Sequence, residues 1–528
     1  MRPPDWNPPI ELSEAEQAII SRIKRAKLFI FLRHNRHHLF NEEFQATLAT
    51  MFKDSTVGQC PVPPALLALA SILQAYTGVS DDEVIEALVM DRRWQLVLDC
   101  HDCQKPPFSK GTLVNFRQVM IDFEVDQRLI ERTVEIALQQ GGFGSSNLRA
   151  ALDSSPLWGA AKVEDTYNLL GHALRKAVRL MAQASEQSRE QVAKETQLDA
   201  LVTGTSLKTA LDLNWDDPTE RSIALESILN ALDQLESELQ KKTEDSALTD
   251  AQEVLEVARQ IQSQNVTINE IGQPILSKGV AKDRRISIED PDMRHGRKSR
   301  SQRFDGYKRH VLRDLEIGVV RSVGLTSANV PEAQVTEAMD ADLKAQNVLL
   351  VELHIDRAYL TSHWVQQRSQ DLTIFCKAWT VRNGDRFIKT DFVLDWEQGL
   401  IRCPNHVSIP FEPGKTVHFP TSECSVCPLR ERCTTSVRGR NVSIHPDEAF
   451  MQELRQRQDT ESGRAKLRER SLVEHTLAHI GQWQGDRARY LGLRKNLFDL
   501  RRVAVVHNLH VIARLPSDAS NQHAFSTP

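Results

Sequence analysis

The sequence predicts a mixed α/β fold, in which a sheet with flanking helices follows an all-helical N-terminal domain. Two apolar runs, 148–152 and 348–355, have the length of buried strands, and an aspartate directly follows each. Two further strand patterns, at 306–312 and 318–323, surround a turn and precede a helical pattern at 331–346. This order of elements indicates a mixed sheet, in which active-site residues tend to gather at the strand ends.

The bulk composition is that of a large globular protein. With 528 residues the chain is too long for one core, and we expect three or four folded units. A net charge of -5 neither requires nor excludes a nucleic-acid partner, because a basic groove can lie within a near-neutral total. No apolar run reaches the length of about 18 residues that a membrane span needs. Residues 1–9 lack the apolar core of a signal peptide, so we expect a cytoplasmic protein.

Changes in periodicity divide the chain into five segments. The apolar spacing predicts helices before residue 145, and the 225–239 region carries a leucine seam typical of a helical hairpin or coiled coil. The expected segments are an N-terminal helical and DNA-binding domain (1–145), the sheet core (146–164 and 286–384), a helical insertion (165–285), a Cys-rich insertion (385–445) and C-terminal helices that complete the core (446–515). For the N-terminal domain, packing alone would also explain every apolar position.

Three carboxylates are candidates for one catalytic site. Asp153 and Asp356 follow predicted strands, and Glu474 lies on a predicted helix, four residues after Arg470. Singly, each has a simpler explanation, because aspartates commonly end strands or cap helices and an Arg–Glu pair at this spacing is often a surface ion pair. The basic residues that follow within about thirty positions favour a site: Arg487, Arg489, Arg494, Lys495, Arg501 and Arg502.

These segments, in this order, resemble the DDE transposases of bacterial insertion sequences. The resemblance is to the branch with a helical N-terminal domain and a tyrosine-arginine-glutamate-lysine signature, and it covers most of the chain. The matching segments are 67–91 with its Gln74–Ser80 stretch, Asp153–Ser155, Asp290–Asp292, Gly306–Lys308, Asp356–Tyr359, Arg470 with Glu474, and Arg489–Lys495. Two signature positions depart from the pattern: Leu467 stands for the tyrosine and Gly481 for the lysine, with Lys495 or Arg494 as the candidate substitute.

The resemblance implies an RNase H-like core and a metal-dependent reaction on DNA. Asp153, Asp356 and Glu474 would hold two Mg²⁺ or Mn²⁺ ions roughly 3.5–4 Å apart, since Mg²⁺ prefers oxygen ligands. Water would cut the element end, and the freed 3′-OH would attack target DNA. The partner would be double-stranded DNA, both element ends and target, in the bacterial nucleoid. Pairing two ends implies a homodimer, for which the leucine seam could supply the contact. A nuclease without strand transfer and an inactive DNA-binding relative are the alternatives.

Basic side chains mark the expected DNA interface. The run 294–303 could be a solvated loop, but its place between the first two strands favours phosphate contact. Tyr307, just beyond it, is expected in the core. The residues expected to contact DNA are Arg297, Lys298, Arg300, Lys308, Arg470, Arg489, Arg494 and Lys495.

Four cysteines form a compact pattern in the Cys-rich insertion. Cys403, Cys424, Cys427 and Cys433 have the spacing C-x20-C-x2-C-x5-C, which fits either a Cys₄ zinc site or a set of buried free thiols. His475 and His479 lie four apart on a helix, but Thr476 stands where a zinc protease needs glutamate, which excludes that class.

Overall fold

The computed structural model describes residues 2–54, 59–101, 103–141, 147–202, 207–241 and 248–515. The chain forms two compact units. Unit 1 comprises Met1–Ser146, Ser154–Val348 and His475–Pro528, and unit 2 comprises Asn147–Asp153 and Leu349–Glu474. Among the described residues, no helix is both long and apolar enough to cross a membrane.

The N-terminal region is all-helical, as the sequence predicts. Ser80 and Glu83 form a reciprocal capping box that starts the fifth helix, and Gly78, with φ of 73°, ends the fourth. The fourth helix is buried along almost its whole length. The helices are α1 (Glu14–Arg22), α2 (Lys27–Leu39), α3 (Glu42–Ala49), α4 (Pro64–Thr77), α5 (Asp81–Met90), α6 (Arg92–Leu98), α7 (Lys110–Asp122) and α8 (Asp126–Gly141).

Strand β1 (Asn147–Trp158) leads into the helical insertion. The insertion contains α9 (Thr166–Ala184), α10 (Arg189–Glu195), α11 (Asp199–Val202), α12 (Leu207–Leu211), α13 (Pro218–Gln240), α14 (Thr249–Asn265) and the antiparallel strands β2 (Val266–Ile268) and β3 (Pro274–Leu276). The leucine seam lies on α13 and is at most 2% exposed, packed into one apolar core with α9 and α14. The expectation that this seam forms a dimer contact is therefore wrong, because the chain buries it within its own bundle.

The antiparallel part of the sheet lies in unit 1. It consists of β4 (Arg294–Arg297), β5 (Arg303–Asp314) and β6 (Val320–Ser327), followed by α15 (Thr336–Ala345). Strand β5 pairs with β4 and β6, and it lies beside β1. The basic run therefore forms a hairpin, in which Arg297 pairs with Arg303, rather than a loop ahead of the strands.

The parallel part of the sheet lies in unit 2. The first half of β1 pairs with β7 (Leu349–His354), and β7 pairs with β8 (Thr373–Phe375) beyond the short helix α16 (His363–Gln366). The Cys-rich insertion adds β9 (Val393–Asp395), β10 (Leu400–Arg402), β11 (Ser408–Pro410), β12 (Thr416–His418), α17 (Thr421–Ser425), α18 (Arg430–Cys433) and β13 (Asn441–Ser443). Helices α19 (Glu448–Asp459) and α20 (Glu461–Glu469) and the start of α21 (Ser471–Gln484) complete the unit. Antiparallel β5 and β6 with parallel β1, β7 and β8 confirm the mixed, RNase H-like class.

The closing helix α22 (Leu493–Ile512) packs in unit 1 against α4, α8 and β6. Its start is held by a buried polar cluster. The carboxylate of Asp290, fully buried, accepts hydrogen bonds from the Tyr307 hydroxyl and from the Gly492 amide at 3.2 Å. Asp292 accepts from the Leu493 amide at 2.8 Å, at the helix N-terminus, where a carboxylate is favourable. Three segments of the family pattern thus meet in one structural contact, and Tyr307 is in the core as expected.

Removing the Tyr307 hydroxyl should destabilise unit 1. Tyr307→Phe leaves the buried Asp290 carboxylate short of one donor, at a cost of about 1–3 kcal/mol. The check is hydrogen exchange of β5 and α22 measured at increasing urea concentration. We expect the variant to reach its unfolding midpoint at a lower urea concentration than the unaltered protein.

Tyr490→Phe is the matched control, because the buried Tyr490 hydroxyl has no hydrogen-bond partner within the described ranges. Equal midpoints for the two variants would show that the Tyr307–Asp290 contact contributes nothing to stability.

Candidate active site

Parallel pairing of β1 with β7 brings two aspartates side by side. Ala151 pairs with His354 at the end of the ladder. Asp153 and Asp356 each lie two residues beyond this last pair, so both follow the same end of the parallel ladder. Strand β1 continues through Asp153 as far as Trp158, so the expectation that it ends at this aspartate is wrong. The register of the two strands places both carboxylates at one corner of unit 2.

Arg470 links the third carboxylate to the first. Its Nη1 lies 2.5 Å from Oδ2 of Asp153, and its Nη2 lies 2.6 Å from Oε1 of Glu474. The Asp153 side chain is 15% exposed and that of Glu474 is 52% exposed. The predicted single helix across this region is interrupted at Arg470, between α20 and α21. The Arg470–Glu474 pair is therefore more than a surface ion pair, since its guanidinium also holds Asp153.

Asp356 faces the same corner from the end of β7. It is exposed, and its Oδ1 accepts a hydrogen bond from the Arg357 amide at 2.6 Å, at the start of a 3₁₀ turn. Burial, and to a smaller extent Asp356, raise the pKa of the nearby Cys376 thiol to about 12 against the opposing effects of Arg357 and Arg470. Asp356 and Arg470 thus both act electrostatically on one buried thiol.

The donor set suits a hard divalent cation. Two aspartates and a glutamate offer oxygen ligands alone, which is what Mg²⁺ and Mn²⁺ prefer. A cationic guanidinium already lies between Asp153 and Glu474, so this position accommodates positive charge.

A second acidic cluster lies on the same strand, and its residues were not anticipated from the sequence. Within the described residues, the one group whose His, Cys, Asp or Glu ligand atoms all lie within 4.8 Å is Glu352, His354 and Glu469. Arg149 lies 2.7 Å from Glu352 and 2.6 Å from Glu469, and Lys466 lies 3.0 Å from Glu352. Burial would raise the pKa of Glu352, but hydrogen bonds from His354, Arg149 and Lys466 hold it well below its ordinary range. Two cations balance two carboxylates, so this group is a filled ion-pair network.

The network fixes the end of α20 directly before Arg470. Glu469 is the last residue of that helix, and its partner Arg149 lies on β1 opposite Glu352. The available sequence signal was the pair Glu352 and His354, two polar residues on one face of an otherwise apolar strand.

Several of the expected DNA contacts are exposed. Arg489 is exposed and donates to the backbone oxygen of Val79 at 2.5 Å. The other exposed members of the set are Arg297, Lys298, Arg300 and Lys495.

Two other members are held by protein partners. Lys308 is 14% exposed and donates to the backbone oxygen of Val330 at 2.9 Å. Arg494 lies 2.6 Å from the fully buried carboxylate of Asp126. These two cations hold unit 1 together, which leaves Lys495 as the exposed candidate substitute for the missing signature lysine.

The glycine at that signature position has a packing reason. A Cβ on Gly481 would lie 3.3 Å from Nη2 of Arg309, tighter than an ordinary contact. Arg309 is 4% exposed and donates to Ser155 at 2.7 Å and to Gln484 at 3.1 Å. A larger side chain at position 481 would press on this buried guanidinium. At the other departing position, Leu467 is half-buried on α20.

The Cys-rich insertion brings its four thiols to one cavity. Cys403, Cys424, Cys427 and Cys433 all line it, and none is in a disulfide.

Comparisons with known proteins match both ends of the chain to transposases. A family model described as a transposase domain (DUF772) matches residues 20–119, which hold most of the N-terminal helices. A second, described as a transposase DDE domain, matches residues 410–513, which include Arg470 and Glu474. Asp153 and Asp356 lie outside both ranges. No curated protein and no solved structure matches the chain. Both family matches are to transposase domains and the mixed sheet between them is consistent with an RNase H-like fold, so the findings indicate an insertion-sequence DDE transposase, a family whose members act on DNA with divalent metal ions.

Proposed function

We propose that this transposase cuts the ends of its own element and joins them to target DNA in one site, built from Asp153, Asp356 and Glu474. The observation that carries the proposal is the Arg470 bridge from Asp153 to Glu474, together with the parallel pairing of β1 and β7, which Asp153 and Asp356 both follow by two residues. These contacts support a site to which three segments far apart in sequence each contribute a carboxylate.

The three carboxylates would hold two Mg²⁺ or Mn²⁺ ions. Such ions activate the attacking oxygen and stabilise the leaving oxygen of a phosphodiester. Arg470 holds one oxygen of each carboxylate, so it would compete with the ions for Asp153 and Glu474 and turn away as they bind. Its guanidinium would then be available to a DNA phosphate, which it can bind through two parallel hydrogen bonds.

The DNA backbone would contact the exposed cations of unit 1. Arg297, Lys298 and Arg300 protrude on the β4–β5 hairpin, and Lys495 and Arg489 lie near the start of α22. Phosphate contacts of this kind position the duplex and weaken as salt rises. Lys308 and Arg494 would act indirectly, by holding the strand and helix that carry these residues. Joining two element ends requires a homodimer on DNA.

Asp356→Asn should abolish metal-dependent cleavage and leave DNA binding intact. The amide keeps the shape of the side chain but loses the charge that a metal ligand needs, and we expect a loss of about 10²–10³-fold or more. The measurement is cleavage and strand transfer on DNA spanning the edges of the element, with Mg²⁺ or Mn²⁺.

Asp371→Asn, an exposed aspartate of the same unit, is the control and should cleave normally. Equal cleavage by the two variants would remove Asp356 from the site. Cleavage without joined products by the unaltered protein would favour a nuclease, and binding without cleavage would favour an inactive relative.

Arg470→Gln should tighten divalent-metal binding and slow cleavage. The ions compete with the guanidinium for Asp153 and Glu474, and an exposed ion pair is worth up to about 1 kcal/mol, or roughly fivefold in affinity. Titration of the DNA-free protein with Mn²⁺ by calorimetry measures the change.

Arg468→Gln, an exposed arginine on α20, controls for the loss of one positive charge nearby. If both variants bind Mn²⁺ with the same affinity, Arg470 does not compete with the ions.

A further inference from the structure

The Cys-rich insertion has little to hold it together. Its strands β9 to β13 are each three residues long, arranged as one three-stranded and one two-stranded antiparallel sheet. Its apolar core comprises the buried side chains of Phe392, Ile401, Phe411, Val417, Phe419, Val442 and Ile444. Small folds with so few buried residues usually need a disulfide or a structural metal. Its cysteines are not in disulfides, so they are free to bind a structural metal.

The four cysteines of this segment converge although they come from separate turns. Cys403 follows β10, Cys424 lies on α17, Cys427 follows that helix, and Cys433 ends α18. All four line one cavity of about 30 Å³, which is large enough for one small ion or water. Four separate turns therefore each bring one thiol to the same cavity.

The backbone around these cysteines is shaped to aim them inward. The Cys403 amide donates to Val407 at 2.9 Å, and the His406 amide donates back to Cys403 at 2.9 Å. His406 has a φ of 62°, a left-handed conformation that a side chain other than glycine adopts at a cost. A Cβ on Gly439 would lie 2.7 Å from the Phe419 oxygen and 3.3 Å from the Cys424 sulfur. The backbone turns at His406 and Gly439 thus pass close to the cysteines.

We propose that Cys403, Cys424, Cys427 and Cys433 bind one structural Zn²⁺ that holds the insertion folded. Tetrahedral thiolate sites of this kind are closed and contribute folding energy directly. The competing explanation, inert free thiols, does not account for four cysteines from separate turns lining one cavity. The sulfurs are more widely spaced than the Glu352 group, so the ion would draw them together on binding.

The test is the metal content of the full-length protein. We expect about one zinc per chain by elemental mass spectrometry, and a Cys427→Ser variant should contain at least tenfold less. Cys60→Ser, which alters an exposed cysteine outside the segment, should retain the full content. Chelation should accelerate hydrogen exchange across 387–443 and leave α9 and α13 unchanged.

Titration with Co²⁺ keeps the test independent of whether the variant folds. The unaltered protein, stripped of metal, should develop the absorption bands of tetrahedral thiolate-bound Co²⁺, and Zn²⁺ should displace them. No zinc in the purified protein together with no such bands would overturn the proposal, as would stoichiometric iron in place of zinc. Asp356→Asn should keep its zinc, so failure of the catalytic proposal would not affect this result.

Discussion

The register of β1 against β7 is the constraint on which the candidate site depends. Because successive side chains of a strand point to opposite faces, a slip of one residue would turn Asp153 away from Asp356. The pairing shifts between Leu148 and Arg149, so that Arg149 stands opposite Glu352 and forms an ion pair with it at 2.7 Å. That ion pair selects one register out of several that apolar residues alone would allow. The same arginine holds Glu469 and thereby the start of the segment that carries Glu474.

Two neighbouring clusters of acidic side chains differ in how their charge is balanced. This difference distinguishes an ion-pair network from a candidate metal site. In the network around Glu352 and Glu469, Arg149 and Lys466 supply one cation for each carboxylate. Such a set is satisfied and gains nothing from a further ion, because a metal would have to displace two paired cations. Around Asp153, one guanidinium, that of Arg470, bridges the carboxylates of Asp153 and Glu474. Proximity of ligand atoms alone would select the Glu352 network, since its ligand atoms lie within 4.8 Å of one another.

Local patterns made part of this structure predictable, and long-range pairing made the rest unpredictable. The strand before Asp356, the helix of the leucine seam and the N-terminal helices follow from periodicity within about twenty residues of sequence. The Arg149 network was missed because its members come from three separate elements. The partner of Arg494 was missed for the same reason, since Asp126 lies 368 residues earlier. The sequence alone identifies an arginine or lysine, but it does not show whether a buried carboxylate already pairs with that side chain.

Assembly of the candidate catalytic site does not explain why the Cys-rich insertion is ordered. It separates the segment of Asp356 from that of Glu474, yet closing a disordered loop of this length would cost little, since each doubling adds only about 0.6 kcal/mol. Glu474 could therefore reach Asp153 even if the insertion were unfolded. Ordering it nevertheless requires specialised turns at His406 and Gly439 and four converging thiols. The proposed metal would therefore hold the insertion itself, and its role is separate from the chemistry of the carboxylates.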